Sequence, residues 1–315
     1  MKRIHSLAML NHLMTSWMKN KCLLVLTGPT AVGKTDLSLE IARTLNAEIL
    51  SADARQFYKE LQIGTAAPSK QILEAVKHHF VGHLSVQDYY NVAMFEQQAL
   101  QLLQKLFQTS DYALLVGGSG LYIDTLCYGI DELPDPEPIV RLEIDNLYEK
   151  EGLSGLRKLL KQLDPDYYSS VDPANHKRIM RALEVCLATG KTFTELRTSN
   201  QKQRPFLIKK VVLNRPRQEL FSRINQRVVE MIQAGLIEET ISLHNMRHLN
   251  ALNTVGYKEL FFWLSNKWTL KTAIEKIKTS TRRYAKRQLT WFRRYEDAAF
   301  FHPSEKDKIL DYLNA

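Results

Sequence analysis

Apolar positions follow two rhythms along this chain. Strand-length segments lie at residues 22–27, 47–53, 112–116 and 207–213, of which 22–27 is a compact apolar run of the kind buried on both faces. Residues 35–45 and 93–107 instead show helical spacing. Strands and helices alternating in this order predict a parallel sheet covered on both faces. The rhythm breaks at residues 131–138, DELPDPEP, where three prolines and four acids in eight residues mark a linker or domain edge. From 139 to about 200 the chain reads as helical and polar, with helices expected at 141–150, 155–162 and 175–189. The run at 207–213 is expected to return to the sheet, and residues 218–296 read as helical and basic.

These patterns predict a catalytic core over residues 21–130 and 205–300 that includes C-terminal helices. A helical insertion domain is expected at 131–204 and a tail at 301–315. Residues 1–20 form an extension in which Lys2 and Arg3 precede scattered apolar residues. His5, Asn11 and His12 interrupt that run and no clear cleavage site follows, so a short amphipathic or disordered segment is expected; Met18 is an alternative start.

Composition narrows the function. The 315 residues are 44% hydrophobic, enough for one large core or two unequal ones. No apolar run approaches a membrane span, so no membrane role is expected. The net charge of +9 fits a polyanionic partner. Cys22, Cys127 and Cys186 form no CxxC pair, which excludes a zinc knuckle or disulfide framework and fits reduced thiols in a cytoplasmic setting. His78 and His79 are adjacent, so on a strand they point to opposite faces; they and His83 read as structural. Nothing signals a large apolar interface, and a monomer is expected.

The run Gly28-Pro29-Thr30-Ala31-Val32-Gly33-Lys34-Thr35 satisfies G-x-x-x-x-G-K-[ST] between a buried strand and a helix. Its glycines let backbone N–H groups converge on phosphate oxygens, and the helix N-terminus adds partial positive charge. Lys34 brings an ammonium to the distal phosphate, and the Thr35 hydroxyl is a candidate Mg²⁺ ligand. The fold class is therefore α/β, with a phosphate-loop parallel sheet, a small helical insertion and basic C-terminal helices. A nucleotide hydrolase would add an acid at the end of another strand, yet 112–116 runs into Gly117-Gly118. The strand that ends on an acid does so at Asp53, as a metal holder, a general base or a helix cap.

Farther on, residues 282–294 hold six basic residues and no acid. Arg283, Lys286, Arg287 and Arg294 recur at helical spacing, as expected of a phosphate-binding stripe. Trp291 and Phe292 lie among them, to stack on bases or to pack in the core. A nucleotide or small-molecule kinase would explain the loop but not these helices.

Taken together, several segments resemble the motif series of tRNA dimethylallyltransferases. They are Gly28–Thr35 as quoted, Ser51-Ala52-Asp53, Gln56, Tyr58, Ile63-Gly64-Thr65-Ala66, Pro68 and Gly117-Gly118-Ser119-Gly120-Leu121-Tyr122. Lys177-Arg178-Ile179-Met180-Arg181-Ala182-Leu183-Glu184, Thr254-Val255-Gly256-Tyr257 and Lys286-Arg287-Gln288-Leu289-Thr290-Trp291 continue it in register. The resemblance covers residues 23–294. It implies transfer of a dimethylallyl group from dimethylallyl diphosphate to N6 of adenosine 37, beside the anticodon of tRNAs that read codons beginning with U. The loop would then hold a diphosphate leaving group with Mg²⁺.

The same resemblance implies roles for residues. Asp53 would be the base, Thr30 would orient the diphosphate, and Arg223 would stabilise it. The anticodon stem-loop of tRNA would meet Asp53, Ala54, Arg55, Gln56, Ser119, Arg141 and the run Lys177, Arg178, Ile179, Met180, Arg181. Thr254, Gly256, Tyr257, Lys258, Lys286, Arg287, Gln288, Trp291 and Arg293 would complete the RNA contacts, with the basic clusters acting as a clamp. There are two departures from the family. Ala54-Arg55 stand where Ser-Met or similar is usual, and Ser119 stands for Thr and keeps the hydroxyl. Arg55 is expected to contact tRNA or tune Asp53.

Overall fold

The computed structural model describes residues 17–131, 133–198 and 200–314. Among these, six parallel strands form one sheet in the order β3-β2-β4-β1-β5-β6. The strands are β1 (Cys22–Thr27), β2 (Ile49–Ala52), β3 (His78–His79), β4 (Tyr112–Gly117), β5 (Leu207–Leu213) and β6 (Ala298–Phe301). Every residue of β1 and β2 is buried, which explains their largely apolar sequence. Helices α1 (Lys34–Thr44), α2 (Lys70–Ala75), α3 (Val92–Leu106) and α4 (Gly120–Tyr128) alternate with the first strands. His79 Nε2 meets Glu48 Oε2 at 2.5 Å and His78 Nδ1 meets the Val76 carbonyl at 2.7 Å, so both histidines serve structure.

The chain divides into two compact units, Tyr128–Gln203 and the remainder. The smaller holds α5 (Pro138–Leu163), α6 (Pro165–Ser170), α7 (His176–Thr189) and α8 (Phe193–Leu196). Gly152 kinks α5 at a φ of 63°. This unit has its own core, including Ile144, Leu156, Leu160, Ile179 and Leu183. Asp164 is 1% exposed. Its carboxylate caps α6 through the Tyr167 N–H and accepts from the Thr194 N–H and hydroxyl, joining α6 to α8.

After β5 the larger unit adds α9 (Arg217–Gln233), α10 (Leu236–Ser242), α11 (Tyr257–Leu264), α12 (Leu270–Phe292) and α13 (Lys306–Asn314). The expected tail is corrected here. Residues 298–301 add β6 beside β5, and Ile309 and Leu313 of α13 are buried in the core with Leu37 and Ile41. The sequence hides this because the strand is short and two of its four residues are alanines. Of the expected extension, residues 17–20 form a 3₁₀ turn and Met18 is buried; residues 1–16 lie outside the described residues.

Candidate active site

The carboxyl edge of a parallel sheet is where ligands bind, and each candidate group leaves a strand there. The phosphate loop follows β1, Asp53 follows β2 and the glycine turn follows β4. Because β4 lies between β1 and β2, the Gly117–Ser119 turn separates the loop from Asp53 in the strand order. A side chain on Gly118 would run into the Gln288 amide at 2.2 Å. At Gly117 an added Cβ would lie 2.3 Å from the Ala52 backbone, a steric reason for glycine where a hydrolase would carry an acid.

Helix α1 starts at Lys34 with Gly33 as its left-handed cap, so the loop's amides open onto a helix N-terminus. The Lys34 amine donates to the Gly28 and Pro29 carbonyls at 2.9 and 3.0 Å. Burial draws its pKa down to about 8, with Arg227 acting in the same sense and Asp53 opposing. Two arginines on successive turns of α9 reach the loop. Arg223 Nε donates to the Ala31 carbonyl at 2.9 Å, and Arg227 Nη1 to Thr30 Oγ1 at 3.2 Å. Arg227, whose pKa burial lowers, escaped the sequence reading. Its place four residues after Arg223, on the same helix face, is the signal that could have found it.

A cavity of about 410 Å³ is lined by Thr30, Lys34, Thr35, Asp53, Arg223 and Arg227. A second, of about 110 Å³, is lined by Asp53, Arg55, Thr254, Gly256 and Tyr284, and again by Thr30 and Arg227. Asp53, Thr30 and Arg227 thus stand where a phosphate-binding space meets a smaller one. Asp53 Oδ1 accepts the Arg55 N–H at 3.1 Å, and Ser119 Oγ accepts the Ala54 N–H at 2.9 Å, which pins the strand end. The phenol of Tyr284, also missed, has its pKa raised by burial and then by the charge of Asp53. No group of three or more His, Cys, Asp or Glu able to hold a metal occurs among the described residues. The exposed Thr35 lines the larger cavity beside Lys34, where its hydroxyl is an oxygen donor suited to a hard divalent cation that phosphate oxygens would help to hold.

Several side chains expected at RNA also bond within the chain. Arg55 Nη1 donates to the Asn250 and Ala251 carbonyls at 2.9 and 3.1 Å. Gln56 Nε2 donates to the Thr65 and Ala66 carbonyls at 3.3 and 3.2 Å. Ile179 and Met180 are buried in the smaller unit's core, and Tyr257 is 0% exposed. Their side chains are packing groups, which corrects the reading that they face RNA; apolar residues inside a basic motif share its spacing but point inward. Tyr257 packs on Gly64 and donates to Glu239 Oε1 at 2.6 Å. The Glu239 carboxylate also accepts the N–H groups of Gln62, Ile63 and Gly64, and nothing local in the sequence announces that role.

Trp291 is half-buried and donates to Asp124 Oδ2 at 3.1 Å, while Phe292 is fully buried. Arg294 stacks on Trp291 at 4.1 Å and lies 3.5 Å from Asp124, so its charge is already countered. Lys286, Arg287 and Arg293 are exposed on or just beyond α12, as is Lys258 on α11. In the smaller unit Lys177 and Arg178 are exposed, Arg181 pairs with Glu184, and Arg141 pairs with Asp135.

Residues 56–295 match the family model of IPP transferases. The chain is 50% identical over 291 residues to tRNA dimethylallyltransferase 1 of Bacteroides thetaiotaomicron, covering 92% of this chain and 94% of that one. Its likeness to the Bacteroides fragilis protein of the same name is 49% over 298 residues, covering 95% and 99%. Among solved structures, the tRNA isopentenylpyrophosphate transferase of Bacillus halodurans aligns with a TM-score of 0.69 at 32% identity, covering 94% of this chain and 96% of that one. A eukaryotic dimethylallyltransferase acting on tRNA aligns with a TM-score of 0.74 at 26% identity, covering 90% and 74%.

Proposed function

The chain belongs to the IPP transferase family, and from that premise we propose how its site performs prenyl transfer to tRNA. The enzyme transfers a dimethylallyl group from dimethylallyl diphosphate to N6 of adenosine 37, in tRNAs reading codons that begin with U. The observation that carries this reading is the meeting of the two cavities at Asp53, Thr30 and Arg227. The larger is lined with cations and loop amides, as a diphosphate requires. The smaller adds apolar walls from Ile224, Val228, Met231, Val255 and Ile277, and Tyr284 beside Asp53, a lining suited to a base and a short apolar chain.

An exocyclic amine is a poor nucleophile because its lone pair is delocalised into the ring. The adenine leaves its stack to enter the smaller cavity. There the Asp53 carboxylate accepts a proton from N6 as nitrogen bonds to the allylic carbon and the carbon–oxygen bond to diphosphate breaks. Lys34, Arg223, Arg227 and the loop amides stabilise the negative charge that gathers on the leaving diphosphate. Thr30, fixed by Arg227, orients that group. Thr35 would hold Mg²⁺ together with the diphosphate, and the ion would supply further charge neutralisation to the leaving group. Ser119, which accepts the Ala54 N–H, would meet the base edge.

RNA is held by exposed cations. Lys286, Arg287, Arg293 and Lys258 serve the larger unit, and Lys177 and Arg178 the smaller. We place the enzyme in the cytoplasm as a monomer. Its three cysteines are free and buried, and no described helix is long and apolar enough to cross a membrane. The test is donor choice. Purified protein given unmodified tRNA should consume dimethylallyl diphosphate and release diphosphate in step with RNA labelling. Consumption of ATP in place of that donor would overturn the reading.

A further inference from the structure

Gln288 lies on the buried stripe of α12 with Ala273, Ile277, Ala285 and Phe292. It is the one polar member of that stripe and is 5% exposed. Its carbonyl Oε1 accepts the Thr30 N–H at 2.9 Å, and its Nε2 donates to the Gly118 carbonyl at 2.8 Å. The partners settle the amide's orientation, since a backbone N–H can only donate and a carbonyl can only accept. One side chain therefore joins the phosphate loop to the turn after β4, whose next residue, Ser119, holds the Ala54 N–H beside Asp53. The contact also withdraws the Thr30 N–H from phosphate binding and leaves Thr30 its hydroxyl, which Arg227 holds.

The geometry points to Gln288 as a positioning residue that fixes the spacing between the diphosphate cradle and the acceptor side of the site, rather than an RNA contact. This rests on the prenyl-transfer reading of the site. The chemistry of the position is narrow. Glutamate would set a second acceptor against the Gly118 carbonyl, asparagine is one methylene short, and methionine fills the volume with neither hydrogen bond. Gly118 belongs to the same device, because an added Cβ would lie 2.2 Å from Gln288 Nε2.

Gln288→Met keeps the packing and removes the latch. The latch predicts a single-turnover rate, at saturating tRNA and donor, about a hundredfold lower, as expected when reacting groups are misplaced. Equilibrium affinity for tRNA should stay unchanged, and the Thr30 amide should exchange faster with solvent. A three- to tenfold loss of tRNA affinity, about the worth of one hydrogen bond, with the rate retained would instead make Gln288 an RNA contact and overturn the proposal. Gly118→Ala supplies a second variant. It should be slow by itself, and Gly118→Ala/Gln288→Ala should be no slower than the worse single variant; losses that multiply would overturn the latch. The amide exchange needs no substrate, so failure of the latch and failure of the prenyl-transfer reading give different results.

Discussion

In the proposed mechanism Asp53 and Lys34 serve opposite ends of the reaction, and each makes a separate prediction. Asp53→Asn removes the proton acceptor while keeping the shape, so transfer should fall by a factor on the order of 10²–10⁴ with tRNA affinity retained. Single-turnover kinetics beside a binding titration check this; equal turnover would remove Asp53 from the mechanism. Lys34 has a lowered pKa of about 8 and carries its charge below that value. The free enzyme should therefore lose kcat/KM for the donor as pH rises through about 8. A profile for the donor that stays flat from pH 7 to 9.5 would contradict that role for the ammonium. Lys34 and Asp53 were legible because a motif and a strand end announced them. Gln288 and Tyr257 were legible as important, but not as buried side chains. A polar residue in a basic helix resembles a surface contact until burial shows that its partners are backbone groups of the same chain.

At the scale of elements, the site depends on a loop held from behind. Glu239 of α10 gathers three loop N–H groups and the Tyr257 phenol, and Gly64 leaves room for the Tyr257 ring. An added Cβ there would lie 2.5 Å from that ring. Gly64→Ala should therefore cost about 1–3 kcal/mol by overpacking, read as a lower urea midpoint with unchanged slope. An unchanged midpoint would mean that the ring is free to move aside. This coupling explains why two motifs about 190 residues apart, Ile63-Gly64-Thr65-Ala66 and Thr254-Val255-Gly256-Tyr257, occur in one chain: one supplies the ring and the other its space. Strand β5 was readable to the residue because it is an interior strand rich in branched apolar residues, bounded by Pro205 and Pro216. Strand β6 and α13 were not, since an edge strand needs little apolar character and a short amphipathic helix resembles a polar tail.

For the whole molecule, a net charge of +9 and exposed cations on both units make RNA affinity an electrostatic quantity. The logarithm of tRNA affinity should fall linearly with the logarithm of salt concentration, and Lys286→Ala or Arg287→Ala should each reduce the slope by about one. An affinity insensitive to salt would exclude phosphate contacts as the main grip. The central claim is that the phosphate loop cradles a leaving group while RNA supplies the nucleophile. Mass spectrometry of nucleosides from tRNA incubated with isotopically labelled dimethylallyl diphosphate tests it most directly. The expected result is labelled N6-(dimethylallyl)adenosine, present with the wild-type chain, formed far more slowly with Asp53→Asn and absent when position 37 is not adenosine. Label on another nucleoside, or undiminished labelling with Asp53→Asn, would contradict it.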